Sequence, residues 1–146
     1  MNEQPGKVRR ARTRDVEALM TIDHRAAKRD VERVSAIHEH VSDGVCWINS
    51  DQSDFNAYAV LLPRHFFGRD FLELLMVAPS VRRSGVATTF LSALLDLEGT
   101  SQVFTSTNRS NAPMIGLLRK EQWQLSGELD GLDADDPELV FFTWRP

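Results

Sequence analysis

One stretch, residues 71–97, constrains the fold of this chain more than any other part of the sequence. Phe71–Ala78 (FLELLMVA) is almost continuously apolar, which is typical of a strand covered on both faces. Pro79–Ser84 is a turn, and an amphipathic helix is predicted over Gly85–Leu97. A buried strand that leads through a tight turn into a helix is the first half of a crossover to a parallel strand. The stretch therefore predicts an α/β fold.

The segments on either side complete a mixed sheet. The order β-α-α-β-β-β-α-β-α-β-β predicts antiparallel hairpins at both ends of the chain, a parallel pairing in the middle and helices on both faces. No segment has the composition of a linker, so we expect residues 1–146 to form a single domain. The other strands are expected at Val8–Ala11, Val45–Asn49, Phe55–Leu62, Gln102–Thr107, Trp123–Leu129 and Leu139–Trp144. The other helices are expected after Thr13, which is the predicted cap, from Asp30 to Gly44 and over Ala112–Glu121, with turns at residues 50–54 and 63–70.

Charge and cysteine usage exclude several functional classes. The chain has 17 basic and 21 acidic residues, a net charge of −4, whereas nucleic-acid-binding domains are usually strongly basic. Its single cysteine, Cys46, cannot form an internal disulfide, which favours a reducing compartment. Neither a membrane-spanning run nor an apolar leader is present in the sequence, so we expect a cytoplasmic protein without a membrane partner.

The turn before the helix predicts an anion site. Exposed N–H groups and the helix dipole attract phosphate at a helix N-terminus, and Gly85 lets the ligand approach the backbone closely. Arg82 and Arg83 add hydrogen-bond donors for phosphate. The alternative is that Gly85 only permits the turn and that both arginines are solvated.

Two motifs resemble those of the GNAT superfamily of acyl-CoA-dependent N-acetyltransferases. Arg82–Ala87 (RRSGVA) matches the signature R/Q-x-x-G-x-G/A, and Asn111–Trp123 is similar to the second motif, N-x-x-A-x-x-L-Y-x-K-x-G-F. Asn111, Leu117 and Lys120 match in the second motif. The resemblance spans nearly the whole chain and implies a mostly antiparallel sheet with a central, splayed parallel strand pair.

The resemblance implies acetyl-CoA as the acyl donor, with no metal, and transfer of the acetyl group to a primary amine by direct attack in a ternary complex. The acceptor is a small molecule or a protein. The implied catalytic role of Val77 is to polarise the thioester carbonyl through its N–H group. Asn111 is implied near the pantetheine arm, with helix capping as its alternative role. The implied coenzyme-binding residues are Met76, Val77, Arg82, Arg83, Ser84, Gly85, Val86, Ala87, Thr88 and Asn111.

Two departures from the family motif are Leu118 and Gln122. The tyrosine that often protonates the departing thiolate falls on Leu118, and the glycine before the aromatic residue falls on Gln122. A thiol has a pKa near ~8.5, so water can protonate this leaving group and activity is still expected. The alternative is a non-catalytic acyl-CoA-binding sensor or interaction module.

Glu73 is the expected general base, because it is the only charged residue in the apolar strand and shares a face with Val77. The alternative is a partly exposed side chain paired with Arg64 or Arg69. Residues 121–146 carry seven acidic groups and one basic group, so this segment either attracts a cationic amine or is simply solvated. The exposed aromatic end VFFTW is a candidate edge for a homodimer.

Overall fold

The computed structural model describes residues 7–51 and 54–145. Contacts divide the described chain into two compact units. The first unit comprises the described residues within Met1–Leu61 together with Leu74–Glu98. The second comprises Leu62–Glu73 and the described residues within Gly99–Pro146. The chain passes between the units within two of its strands and again between Glu98 and Gly99. The predicted turn at residues 50–54 includes residues 52 and 53, which lie outside the described residues.

The described strands form one seven-stranded sheet in the order β1-β2-β3-β4-β5-β7-β6. The pairings β1–β2, β2–β3, β5–β7 and β6–β7 are antiparallel, and β4–β5 is parallel. The predicted mixed sheet is thus confirmed. Its strands are β1 (Lys7–Arg10), β2 (Cys46–Asp51), β3 (Asp54–Phe66), β4 (Arg69–Val77), β5 (Gln102–Asn108), β6 (Gln124–Leu129) and β7 (Glu138–Trp144).

Five helices accompany the described strands. They are α1 (Val16–Ile22), α2 (His24–Ala27), α3 (Val31–Ser42), α4 (Val86–Glu98) and α5 (Ala112–Lys120). Asp23 caps the start of α2 and Asp30 caps the start of α3, and in both cases the carboxylate accepts backbone N–H from the first turn. Thr13 is not the expected helix cap: it opens a 3₁₀ turn, Thr13–Asp15, in which the Asp15 carboxylate accepts the N–H of Arg12 at 2.7 Å.

Helices pack on both faces of the sheet in the first unit. Residues directly opposite each other on antiparallel strands share a face, as Arg9, Ile48 and Tyr58 do. On this face Arg9 forms an ion pair with Asp15, directly before α1. On the other face the Arg10 guanidinium lies 4.6 Å from the centre of the Trp47 ring and pairs with Glu98, the last residue of α4.

The second unit is built around β5. Asp70–Leu72 of β4 pairs in parallel with Val103–Thr105, and the Thr105 hydroxyl also donates to the Leu72 carbonyl at 2.7 Å. This parallel pairing covers three residue pairs, although β4 continues to Val77. A short parallel ladder of this kind agrees with the implied splay.

Strand β4 is less buried than its apolar sequence predicts. Leu72 is buried, but Glu73 is exposed and residues 74–77 are half-buried. The expectation of a strand covered on both faces was therefore wrong, because Leu72 is the one fully buried residue of β4. Strand β3 is longer than predicted and continues through Pro63 to Phe66, which shortens the following turn to Phe67 and Gly68.

Candidate functional site

The segment between β4 and α4 is a tightly wound loop within the first unit. A 3₁₀ turn, Pro79–Val81, follows the strand, and the Ala78 N–H donates to the Asn56 carbonyl of β3 at 2.7 Å. The Ser84 side chain and N–H both donate to the Val81 carbonyl. These bonds fix the loop from both sides, so the start of α4 has a defined place relative to the end of β4.

The first turn of α4 presents unused backbone donors. The first helical hydrogen bond runs from the Thr89 N–H to the Gly85 carbonyl at 3.1 Å. The N–H groups of Val86, Ala87 and Thr88 precede that bond, so they have no partner inside the helix. Three convergent donors at the positive end of a helix of 13 residues form an anion-binding arrangement.

Gly85 is the residue that keeps this arrangement open. Its φ is +86°, a left-handed backbone conformation that residues other than glycine rarely adopt. A Cβ atom built there would meet no atom within 4 Å. The backbone is therefore accessible to a ligand at this residue. The space, the donors and the dipole all fit the pyrophosphate of a coenzyme A molecule.

The two arginines of the loop differ in their contacts, but both carry a charge that a phosphate can reach. The Arg82 Nε–H donates to the Val77 carbonyl at 3.4 Å, a long contact between the loop and the end of β4. Arg83 adopts a φ of +64°. Both side chains are exposed, and neither takes part in the ion pairs formed by the described residues. Their positive charge is thus available to a phosphate.

A buried cluster of polar residues lies on the α1–α3 face of the same unit. Asp23 is fully buried and accepts a short hydrogen bond from the Tyr58 hydroxyl, and Arg33 lies 3.3 Å from the same carboxylate oxygen. The N–H groups of Arg25 and Ala26 donate to the other oxygen at 3.0 and 3.4 Å. Burial, followed by the bond to Asp23, raises the pKa of Tyr58 well above its ordinary value, so the phenol stays neutral.

Several solved structures share this architecture. No family model matches the sequence, and no curated protein matches it. A GNAT-family acetyltransferase from Bacillus cereus has a TM-score of 0.86 and 29% identity, over 98% of this chain and 99% of its own. The chain has the GNAT fold. A GNAT-family acetyltransferase from Streptococcus agalactiae has a TM-score of 0.83 and 16% identity, over 99% of both chains. The Salmonella typhimurium protein yncA, solved with its cofactor acetyl-CoA, has a TM-score of 0.71 and 15% identity, over 97% of this chain and 94% of its own.

The resemblance of the sequence to the GNAT superfamily is thereby confirmed, and the predicted site residues can be placed on the fold. The first unit brings together the end of β4 (Met76 and Val77) and the loop and helix start, Arg82–Thr88. Asn111 and Glu73 belong to the second unit.

Asn111 caps α5 in the GNAT fold of this chain. Its side-chain oxygen accepts the Met114 N–H at 3.2 Å, and its side-chain nitrogen donates to the Thr107 hydroxyl at 2.9 Å. The capping role, predicted as the alternative, is thus present. Leu118 is completely buried, so the position of the family tyrosine is a core position here. Gln122, which stands where the motif has glycine, adopts a φ of +64°.

Glu73 does not lie in the buried surroundings that its neighbours in the sequence suggested. Its side chain is exposed, and it belongs to none of the ion pairs among residues 7–51 and 54–145. The alternative, a pairing with Arg64 or Arg69, is therefore not found among the described residues.

The acidic stretch, residues 128–138, is held in part by residues 108–110, between the end of β5 and the start of α5. Asp136 accepts from the N–H and the hydroxyl of Ser110 at 3.0 and 2.6 Å, and Asp133 accepts from the Asn108 side chain at 2.8 Å. Glu128 forms an ion pair with Arg109. Within the described part of the chain, no group of three His, Cys, Asp or Glu side chains could hold a metal ion. None of the described helices is long and apolar enough to cross a membrane.

Sequence reasoning missed the Asp23 cluster and a second buried polar pair. Asn49 and Asn56 are each over nine-tenths buried, and the Asn49 amide donates to the Asn56 side-chain oxygen at 2.7 Å. Asn56 is also the residue whose carbonyl holds Ala78. Isolated Asp, Asn and Tyr residues in otherwise apolar strands and at helix starts were the available signal, but their partners are distant in sequence.

Proposed function

We propose that this protein is an acyl-CoA-dependent N-acyltransferase that transfers an acetyl group from acetyl-CoA to a primary amine. One observation carries the proposal: the loop between β4 and α4 combines an open Gly85 with three free donors at a helix start. The GNAT fold of the chain and the acetyltransferase neighbours support it. A pyrophosphate would be held by the N–H groups of Gly85–Thr88 and by the charges of Arg82 and Arg83.

Bound acetyl-CoA would supply the acyl group as an activated thioester. The chain's own contribution is to position this group and to stabilise negative charge on its carbonyl oxygen, for which we assign the Val77 N–H. Met76 and Val77 are half-buried at the end of β4, and the adjoining Ala78 is held by Asn56. The strand end is thus fixed before a ligand arrives.

The attacking amine must lose its proton before it reacts. An amine with a pKa near ~10.4 is neutral in only about 1 molecule in 2,500 at pH 7, a penalty of roughly 4.6 kcal/mol. We assign Glu73 as the group that accepts this proton. Because its side chain is exposed, it would act through a water molecule in contact with bulk solvent. The direct attack of the amine in a ternary complex is part of the same proposal.

The acceptor is a small-molecule or protein amine, and not a nucleic acid. Residues 128–138 carry six acidic groups and no basic group, which favours the approach of a cation. The buried Cys46 forms no disulfide, in keeping with a reducing compartment such as the cytoplasm.

The test is a thermal shift with acetyl-CoA, free coenzyme A and ATP on wild type, Gly85→Ala and Gly99→Ala. The two glycines flank α4, both have positive φ (+86° and +68°), and both face open space. Each substitution should cost about 1–2 kcal/mol of stability through backbone strain. Wild type at about 100 times the dissociation constant should gain about 2.7 kcal/mol, roughly 5–10 °C. We expect Gly99→Ala to keep that shift and Gly85→Ala to lose most of it.

Equal shifts in both variants would remove the loop from the coenzyme site. No shift in wild type with either coenzyme A form would contradict the proposed function itself. An equal response to ATP would show that the loop binds phosphates without selecting coenzyme A.

Leu118 favours a second candidate, a non-catalytic acyl-CoA-binding module. The residue is fully buried, so α5 offers no acid at the position where the family usually has one. Such a module would show the coenzyme shift, but would release no free thiol from acetyl-CoA with any member of an amine panel. Release of thiol that depends on the amine would exclude it.

A further inference from the structure

Strand β3 contains a β-bulge at Asn56, within the first unit. Asn49 of β2 pairs with Ala57, but the next residue, Ser50, pairs with Phe55, so the register shifts and Asn56 is the extra residue of β3. A bulge bends its strand, leaves the extra residue out of the regular ladder and is over-represented next to active sites. The backbone groups of Asn56 are therefore placed by the bulge and not by a partner opposite it in β2.

The side chain of Asn49 holds the bulge in place. Its Nδ2–H donates to the Oδ1 atom of Asn56 at 2.7 Å, and the two residues are only 6% and 7% exposed. An amide oxygen that is buried without a donor is costly, so the fold favours the arrangement in which these two side chains meet. Their contact bridges the two strands at the register shift, which fixes where the backbone of Asn56 lies relative to β2.

The bulged residue in turn holds the end of β4. The carbonyl of Asn56 accepts the N–H of Ala78, the residue directly after β4, at 2.7 Å. Successive residues of an extended strand bond to neighbours on opposite edges, so with the Ala78 N–H directed at β3 the N–H and C=O of Val77 face away from β3. On that edge the Val77 carbonyl is reached by Arg82, a residue of the proposed phosphate-binding loop.

We infer that Asn49 is a positioning residue for acetyl transfer, acting through the Asn56 bulge on the direction of the Val77 N–H. The inference rests on the proposed function, in which this N–H stabilises negative charge on the thioester carbonyl. Such a donor accelerates the reaction only when it is aimed at the oxygen before charge develops, and a displacement of about 1 Å can cost about 10²-fold in rate. The bond of Asn49 maintains this aim, although Asn49 acts only through Asn56 and Ala78.

The test compares Asn49→Leu with Tyr58→Phe as the matched control. Each removes one buried hydrogen-bond donor with little change of shape, and Tyr58 lies two residues from Asn56 on the same strand, but its bond is to Asp23 and not to the end of β4. Turnover is followed as thiol release from acetyl-CoA with free lysine, with spermidine, with a peptide that has a free amino terminus, and with water alone.

We expect kcat of Asn49→Leu to fall at least about tenfold and its KM for acetyl-CoA to stay within about twofold, because the donors of the phosphate-binding loop are unchanged. Tyr58→Phe should keep kcat within about twofold of wild type, since the end of β4 is held as before.

Amide hydrogen exchange measures the positioning without any turnover. The N–H of Ala78 should exchange at least about tenfold faster in Asn49→Leu than in wild type, since the carbonyl that accepts it is no longer fixed. The N–H of Leu61, which donates to Val45 at 3.0 Å elsewhere on β3, is the internal reference for general stability. The ratio of the Ala78 rate to the Leu61 rate should rise in Asn49→Leu and stay that of wild type in Tyr58→Phe.

The double variant Asn49→Leu/Asn56→Leu separates positioning from stability. It leaves no amide of this pair buried without a partner, so it should unfold at a higher temperature than Asn49→Leu. Its kcat should nevertheless remain low, because the bulge still lacks its side-chain bond. It also takes the place of Asn49→Leu if the single variant does not fold.

A kcat of Asn49→Leu within about threefold of the control, an unchanged exchange ratio, or a kcat that recovers together with stability in the double variant would each overturn the inference. A wild type without the coenzyme thermal shift would contradict the proposed function instead. The exchange ratio needs no coenzyme, so it would still decide whether Asn49 fixes the end of β4.

Discussion

Tyr58 is the only tyrosine of the chain, which makes the buried Asp23 cluster open to a direct spectroscopic test. Its hydroxyl donates to a carboxylate that is fully buried and that also contacts Arg33. A free tyrosine loses its proton near pH 10, and its absorbance at 295 nm then rises. Because burial raises the pKa of Tyr58, we expect no such rise in the native protein as the pH passes 10.

The same shift predicts how stability depends on pH. A group whose pKa is higher in the folded than in the unfolded chain contributes its full stabilisation below the unfolded value, about 10, and loses it as the pH rises further. Stability should then fall by about 1.4 kcal/mol per pH unit above pH 10 on account of Tyr58 alone. The tyrosinate absorbance should appear together with cooperative unfolding.

Tyr58→Phe isolates the hydrogen bond from the ring. The variant keeps the buried aromatic ring and removes one donor to a charged acceptor, which costs about 1.5–3 kcal/mol. The carboxylate still has Arg33 and the N–H groups of Arg25 and Ala26, so the cost should stay within this range. With a urea m-value of about 1.5 kcal/mol/M, the midpoint should fall by roughly 1–2 M.

The matched comparison is Arg33→Met, which leaves the buried carboxylate without its cation and should cost about 3–5 kcal/mol. The free energy of unfolding lost in the double variant should differ from the sum of the two single losses by at least about 0.5 kcal/mol, in either direction. Residues that share one acceptor are usually coupled by about 0.5–3 kcal/mol. Reversible ionisation of native Tyr58 near pH 10, or a cost below about 0.5 kcal/mol for Tyr58→Phe, would refute the description of this cluster.

Three further predictions concern other titratable groups. Burial raises the pKa of the Cys46 thiol to about 12, so a thiol reagent at pH 8 should modify it only in urea. Between about pH 9 and 10, the free energy of unfolding should fall less in Cys46→Ala than in wild type. The hydrogen bond from Arg9 holds the pKa of Asp15 below its usual value, so this pair stabilises the fold above about pH 4 and the stabilisation disappears as the pH falls through the lowered pKa. In Arg9→Met, the free energy of unfolding should therefore fall less steeply with decreasing pH, and an unchanged slope would contradict this. Glu73→Gln should lower kcat about 10²-fold or more while leaving the coenzyme thermal shift intact, and equal rates across the pH range would remove Glu73 as the base.

The sequence pattern was sufficient for the architecture because the information is local. The apolar periodicity, the Asp30 and Asn111 caps and the glycine before α4 all act within a few residues, and the structure has each of them in place. The order of the elements then left one mixed sheet as the simplest arrangement. The loop after β4 was predictable for the same reason.

Burial within β4 and the buried polar pairs were not predictable in this way. Whether Glu73 is covered depends on what lies over that side of the strand, and a run of apolar neighbours does not determine it. The partner of Tyr58 is 35 residues away in sequence, and only the completed packing of α1, α2 and β3 brings the two together. Thr13 does not take its predicted capping role because it lies inside a 3₁₀ turn, whose last residue, Asp15, accepts the Arg12 N–H.

The brief parallel ladder between β4 and β5 also has a kinetic consequence. The Thr105 hydroxyl and the Leu72 carbonyl that it meets are 33 positions apart along the chain, and the 13 residues of α4 lie in this interval. Closing so long a connection costs entropy that the few bonds of this ladder offset only after the helix has formed. We expect the hairpins to form early in refolding and this pairing to form late, so substitutions at Leu72 or Thr105 should accelerate unfolding much more than they slow refolding.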